Sequence, residues 1–427
     1  MATTRRQFIK RGAGAVTLSL FMPQLMLRGA NAQGAMGGRK LVKIFLLGGN
    51  DGLNTLVPYT DPRYYELRPV IGLKESDLKD AQGRSTIISD KFGLHPALSS
   101  LKTLYDEGKV AIVAGAGSAK PNLSHFDMTD QLHSGDPTNH KRDGWLGRYL
   151  NLKFGSGGSE RPGIPGMALK SLFAPRTFLP AIDTPSIPSF ADYGLRADST
   201  YPTEQRDVLK VLESACARAV DNQDPSGEFS RVATSTFASV QKIKTIPDSY
   251  RSSVIYPTSP IADALKMVAQ VMVGVPDVGL FYVDMGGFDT HARQITDANN
   301  RLTGTHATLL GQVADGIAAF NNDLKEHGLA DQVLMMTVSD FGRQVPQNAS
   351  NGTDHGSAAP MFVIGNPVRG GLYGEQPSLA ASKLDAAGNM AISVDFRAVY
   401  SNILEKWLDA DPELILDKRF EDLGFLG

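Results

Sequence analysis

One cysteine, Cys216, is the entire thiol content of this 427-residue chain. No intramolecular disulfide can form, so stability has to come from a large apolar core. Its surroundings, "LESACARAV", read as a buried helical position and make it a poor candidate for thiolate chemistry. Membrane-length apolar runs are also lacking. The run "AGAVTLSLFMPQLML" near the N-terminus is short of the roughly 20 residues a span needs, and it carries Pro23 and Gln24. A stable membrane span is therefore not expected. Nor is there a concentrated basic excess. Five of the 43 Lys+Arg residues fall in the first 32 positions and none of the 45 Asp+Glu do, which leaves a net charge of −7 beyond them. Nucleic-acid binding needs a concentrated basic face, so such a partner is excluded.

What is present begins with "TTRRQFIKRG", Thr3 to Gly12. Paired arginines, a mildly apolar stretch and "ANA" at Ala30–Ala32 follow the order of a cleaved export signal. Phe8, two positions after Arg6, points to the twin-arginine route. Residues 1–32 are thus expected to be a leader read by the twin-arginine export machinery, with the mature protein periplasmic or secreted. That route carries folded proteins, so a metal can be loaded before transport.

Residues 33–427 alternate apolar runs with helical periodicity. "KLVKIFLLGGNDG" reads as a central parallel strand, apolar on both faces except for Lys43. "KVAIVAGAG", "LFYVDMGGFDTH", "DQVLMMTVSDFG" and "APMFVIGN" read as further strands. "LHPALSSLKTLYDEG", "NRLTGTHATLLGQVADGIAAFNNDLKEHG" and "VDFRAVYSNILEKWL" read as helices, the second with Leu302, Leu309, Val313, Ile317, Phe320 and Leu324 on one stripe. Ser124 and Asp127 in "NLSHFD" have capping-box spacing. Alternation of this kind predicts an α/β fold with a mainly parallel central sheet flanked by helices. The stretch from about 150 to 260, rich in Gly and Pro at its start, reads as a helical and loop insertion that caps the sheet.

Polar residues recur at the strand ends. Asp51 follows the first strand, Ser124 the second, Asp289 and His291 the third, Asp340 the fourth. The connection after that holds "GTDHG", with Asp354 and His355 between two glycines. In open α/β sheets the ligand crevice lies outside the carboxyl ends of the strands, so all of these are expected at one edge. Clustered carboxylates repel unless a cation sits among them. Mixed Asp and His donors suit a divalent ion, with Zn²⁺, Mn²⁺, Mg²⁺ and Ca²⁺ all open in number and identity. His95 reads as a cap or a site residue, and His125 stands out only because it adjoins Ser124. His133, His140, His306 and His327 read as structural, and Trp145 as a core anchor.

The leader together with "GGNDGLNTLVP", "SHFD", "GWLGRYL", "GGFDTH", "SDFGR" and "TDHG" resembles the exported bacterial family called domain of unknown function 1501. More broadly, the motif order resembles the alkaline phosphatase and sulfatase superfamily. The broader resemblance implies a metal-dependent hydrolase of phosphate or sulfate esters, acting on an anionic small molecule or glycan. It implies Ser124 as nucleophile, Asp51 and Asp340 sharing one ion, and Asp289, His291 and His355 holding another. Arg343 would direct positive charge toward an anionic group or stand solvated at a helix start. Two departures are visible. Phe341 stands where the superfamily has a His directly after the fourth Asp, and Asp284 competes with Asp289 as the third-strand ligand. Phe341 favours a second reading, a non-catalytic exported protein that keeps the fold and binds a surface glycan or a protein partner.

Overall fold

The computed structural model describes residues 38–138, 141, 143–154, 164–171, 175–179, 184–190 and 243–427. The expected leader, Cys216, His140 and most of the expected insertion lie outside those residues. β1 (Lys40–Leu46) is followed by β2 (Leu56–Val57) and β3 (Gly93–Leu94), which form a separate antiparallel ribbon. The remaining strands are β4 (Val110–Gly117), β5 (Gly166–Leu169), β6 (Ser186–Ile187), β7 (Leu280–Met285), β8 (Val333–Ser339), β9 (Ala359–Ile364), β10 (Gly371–Tyr373) and β11 (Val394–Asp395). With β1 they build the main sheet in the order β10-β4-β9-β8-β1-β7-β5-β6, with β11 also on β4. All pairings are parallel except those of β9, which runs against both β4 and β8. The architecture is therefore α/β with a mainly parallel sheet. Within the stretch expected as an insertion, the apolar Gly166–Leu169 is wholly buried and extends the sheet as β5, with β6 beside it.

β1 shows why the sheet is central. Val42, Ile44 and Leu46 face one core, shared with the helices Ser99–Asp106, Pro260–Gly274 and Thr305–Glu326. Leu41 and Phe45 face a second core, shared with the helices Trp145–Phe154 and Phe396–Lys406. Strand side chains alternate faces, so a strand covered on both sides must be apolar throughout. Among the described residues no helix is long and apolar enough to cross a membrane.

Lys43, the exception in β1, is fully buried. Its ammonium donates to the Leu132 carbonyl at 3.2 Å and Thr177 Oγ1 at 3.3 Å. The rings of Phe45, Trp145 and Tyr400 surround it at 5.8, 5.9 and 5.4 Å. Burial pushes its pKa well below the ordinary lysine value. A lysine depressed in the folded state costs stability below its unfolded pKa, and the cost shrinks as pH rises toward that value. Lys43→Met is therefore expected to raise Tm by about 2–4 °C at neutral pH, with the gain fading toward pH 10 in thermal melts.

Two local expectations shift. The long helix begins at Thr305, not Asn300, because Gly304 has φ +137° and a Cβ there would meet the Gln294 carbonyl at 2.5 Å. Leu302 consequently precedes the helix and packs in a third, smaller cluster. At Ser124 only half of the capping box forms. Its Oγ accepts the Asp127 N–H at 3.4 Å, while Asp127 Oδ2 accepts from Asn122 Nδ2 at 2.6 Å.

Candidate metal centre

The parallel strands β1, β4, β7 and β8 end at one edge. β9 starts there too, since it runs antiparallel to β8. The segment 340–358 is thus an excursion that leaves and re-enters the sheet at the same rim. Its glycines are set by close backbone approach. A Cβ on Gly352 would meet the His291 carbonyl carbon at 2.4 Å, and one on Gly356 the Arg343 carbonyl carbon at 2.2 Å. These contacts press the "TDH" between them against the loops after β7 and β8.

Three imidazoles meet there. His291 Nδ1 donates to Asp354 Oδ1 at 2.9 Å. His355 Nδ1 donates to the Leu123 carbonyl at 2.8 Å. His125 Nδ1 donates to Asp340 Oδ2 at 2.6 Å, an oxygen that also accepts the Gly48 N–H at 3.1 Å. A carbonyl and ionised carboxylates only accept, so each neutral ring carries its proton on Nδ1 and leaves Nε2 as a lone pair. All three lone pairs face Asp289. Its Oδ1 is 3.2 Å from His291 Nε2, 3.2 Å from His355 Nε2 and 3.5 Å from His125 Nε2. The Nε2 atoms of His291 and His355 are 2.8 Å apart. His125 Nε2 is buried without a hydrogen-bond partner. Acceptors crowded this way repel one another, and a cation among them removes the conflict.

Electrostatics follow the same layout. The His291 hydrogen bond, then Asn348, hold the Asp354 carboxyl below its ordinary value. Burial pushes Asp340 up against the opposing pull of His125. Burial would also raise Asp289, but the Arg343 hydrogen bond and charge bring it below the usual range. Phe341 is buried between two of the imidazoles, with ring centres 4.7 Å from His125 and 4.6 Å from His355. It cannot ligate, but it fixes the planes of both rings.

Of the residues expected from sequence, Asp289, His291, Asp340 and His355 come together here. Asp340 enters through His125. Asp284 instead lies within β7, bonded to Tyr282 and Ser171. Ser124 lies between Leu123 and His125, both of which touch the cluster, and its hydroxyl serves the cap. Asp51 does not join. It is buried, and its Oδ2 accepts from Arg68 Nη1 at 2.6 Å and Gln294 Nε2 at 2.5 Å. Among the described residues the one group of three Asp, Glu, His or Cys donors within 4.8 Å is His125, Asp289 and His355. Arg343 is neither solvated nor at a helix start. It is buried, and its guanidinium donates to the carbonyls of Gly49 at 2.7 Å, Thr353 at 2.8 Å and Phe288 at 3.0 Å, to that of Gly48, and to Asp289 at 2.6 Å. Strand-end carbonyls had to be covered, and a planar five-donor group does so in one place. His125 and Asp354 were absent from the expected ligand set. Their signals were adjacency to Ser124 and the position inside "GTDHG". His95 accepts the Ala97 N–H as a cap, and His306 Nε2 lies 2.9 Å from Asn50 Oδ1.

Residues 38–415 match the family described as "Protein of unknown function (DUF1501)", and the chain belongs to that family. No curated protein matches it. Solved structures with a similar course include the PsFucS1 sulfatase from Pseudoalteromonas sp., 12% identical, covering 100% of this chain and 76% of that one with a TM-score of 0.38. The C-terminal periplasmic domain of EcEptC from Escherichia coli, in complex with Zn, is 10% identical, covering 81% and 76% with a TM-score of 0.37. The soluble domain of lipooligosaccharide phosphoethanolamine transferase A from Neisseria meningitidis is 9% identical, covering 94% and 98% with a TM-score of 0.36. At such scores and identities the likeness assigns no activity.

Proposed function

We propose that this member of the DUF1501 family holds one divalent transition-metal ion among His125, His291, His355 and Asp289, and hydrolyses phosphate or sulfate esters outside the cytoplasm. The observation that carries the reading is the convergence of three Nδ1-anchored imidazoles, with their Nε2 lone pairs facing a single carboxylate oxygen. Metal-binding histidines characteristically donate their other ring N–H to a carboxylate or carbonyl, which fixes tautomer and orientation. Three nitrogens and one oxygen favour Zn²⁺ over Mg²⁺ and Ca²⁺, which prefer all-oxygen shells. When bound, such an ion supplies a Lewis acid for charge on an ester oxygen.

The chain's own groups supply the rest. Asp354, Asp340 and the Leu123 carbonyl hold the imidazoles in register, and Arg343 holds Asp289. Ser124 stands at the N-terminus of the helix His125–Ser134, where free N–H groups favour anionic oxygens. The residue before it, Leu123, has φ +62°, a left-handed conformation that a leucine rarely adopts. Strain of this kind gathers at functional sites. Ser124 is accordingly the attacking hydroxyl in this reading. The leader supports export through the twin-arginine machinery.

Protein purified with its leader intact is expected to carry one transition-metal equivalent and to turn over nitrophenyl phosphate or nitrophenyl sulfate. Ser124→Ala is expected to lower kcat at least about a thousandfold with the metal retained. One Ca²⁺ or none, with neither ester turned over, would instead support the non-catalytic exported binder that Phe341 favours.

A further inference from the structure

A cleft of about 500 Å³ opens at the centre, with His125, Asp289 and Asp340 in its lining. One wall is the helix His125–Ser134. Phe126, Thr129 and Asp130 line it at i, i+3 and i+4, the spacing that puts three side chains on one helical face. Gly286 and Gly287 also line it, and a Cβ added to Gly286 would meet nothing within 4 Å, so the cleft is open there. Phe126 is 87% exposed, an unusual state for a phenyl ring, and it adjoins a partly exposed polar cluster.

We infer that this cleft receives a neutral sugar ring stacked on Phe126, the part of the substrate that carries the ester to the metal centre; this rests on the hydrolase reading above. Among the described residues no lysine or arginine lines the cleft, so a second anionic group finds no partner in it. A cationic group is disfavoured too. Asp130, the lining acid outside the His125–Asp289–Asp340 group, is already paired with Arg176 at 2.5 Å, and that guanidinium opposes an ammonium. What remains is an exposed aromatic face, the Thr129 hydroxyl and an Asp130 carboxylate that is 41% exposed. An aromatic face beside short-range hydroxyl partners matches the apolar C–H face and rim hydroxyls of a pyranose.

The test uses the full metal-loaded chain. Phe126 is almost fully exposed, so its replacement leaves the packing intact. For Phe126→Ala, the ratio of kcat/KM for a sugar 6-phosphate or 6-sulfate to that for the acyclic glycerol ester is expected to fall about tenfold. An unchanged ratio overturns the inference. Phe126→Trp gives a readout that needs no turnover. Trp145 and Trp407 are buried, so the new exposed indole is seen as red-shifted emission. Neutral mono- and disaccharides are expected to shift that emission. A shift with choline alone, or with none of these, overturns the sugar assignment. A shift with sugars in a protein that hydrolyses no ester leaves the subsite standing and sinks the hydrolase reading alone.

Discussion

Asp289→Asn is expected to release the metal, weakening its affinity at least about a hundredfold, and to abolish ester turnover. Asp289 is the point on which the three imidazole Nε2 atoms converge, at 3.2 to 3.5 Å. It also carries the negative charge that a divalent ion needs among otherwise neutral donors. The substituted amide keeps the size and one oxygen, so loss of metal would reflect charge and not packing. The milder comparison is Asp354→Asn. It keeps an acceptor oxygen for His291 but removes the negative charge behind that imidazole, and is expected to weaken metal binding about tenfold. Metal per chain, measured by elemental analysis after dialysis, separates the two. An Asp289→Asn protein that keeps its full metal complement would reduce Asp289 to a counterion for Arg343 and move the centre elsewhere.

Arg68→Met is expected to destabilise the fold by about 3–5 kcal/mol. The Arg68–Asp51 pair has no solvent exposure on either side chain. Removing one partner leaves a buried, uncompensated carboxylate whose Oδ1 already lacks a hydrogen bond. Arg68 also donates to the carbonyls of Val345 and Gln344 at 2.8 Å each, so it ties the loop after β8 to the segment after β1. The double variant Arg68→Met, Asp51→Asn is expected to recover part of the loss, since the orphaned charge disappears. Denaturant melts at pH 7 report both. The pH dependence has a definite sign. Burial alone would raise Asp51, but Arg68, His306 and Gln294 bring it below its ordinary value of 3.8. A carboxyl depressed in the fold contributes stability above that value and loses it as pH falls through the folded pKa. The parent should therefore lose stability below about pH 4, and the double variant should lose less over the same range. Equal acid sensitivity in the two would place the titrating carboxylate elsewhere.

The five long strands were readable because a strand covered on both faces must be predominantly apolar, and β1, β4, β7, β8 and β9 are, with exceptions such as Lys43 and Asp284. β5, β6, β10 and β11 were not readable. They are two to four residues long, and only their neighbours in the sheet make them strands. The direction of β9 was equally hidden, since an apolar run reads the same both ways. At the centre, Asp289, His291, Asp340 and His355 were legible because a polar residue following a buried strand arrives at the carboxyl edge. Asp51 obeys the same rule and still belongs elsewhere. What distinguishes it is Arg68, in "ELRPV", which nothing in its own surroundings marks as buried. Arg343 misled for a similar reason: its partners are backbone carbonyls, and these leave no trace in side-chain identity. His125 was overshadowed by the hydroxyl beside it.

His125 and Asp340, hydrogen-bonded in the centre, stand 215 positions apart in the chain, and His125 and Asp289 are brought together only by the intervening sheet. No nascent fragment that stops short of residue 355 contains the whole donor set. Affinity for the ion should thus arise in a single late step, when the last ligand emerges and β9 docks. A ribosome-stalled series truncated on either side of that position would show capture of the ion switching on abruptly.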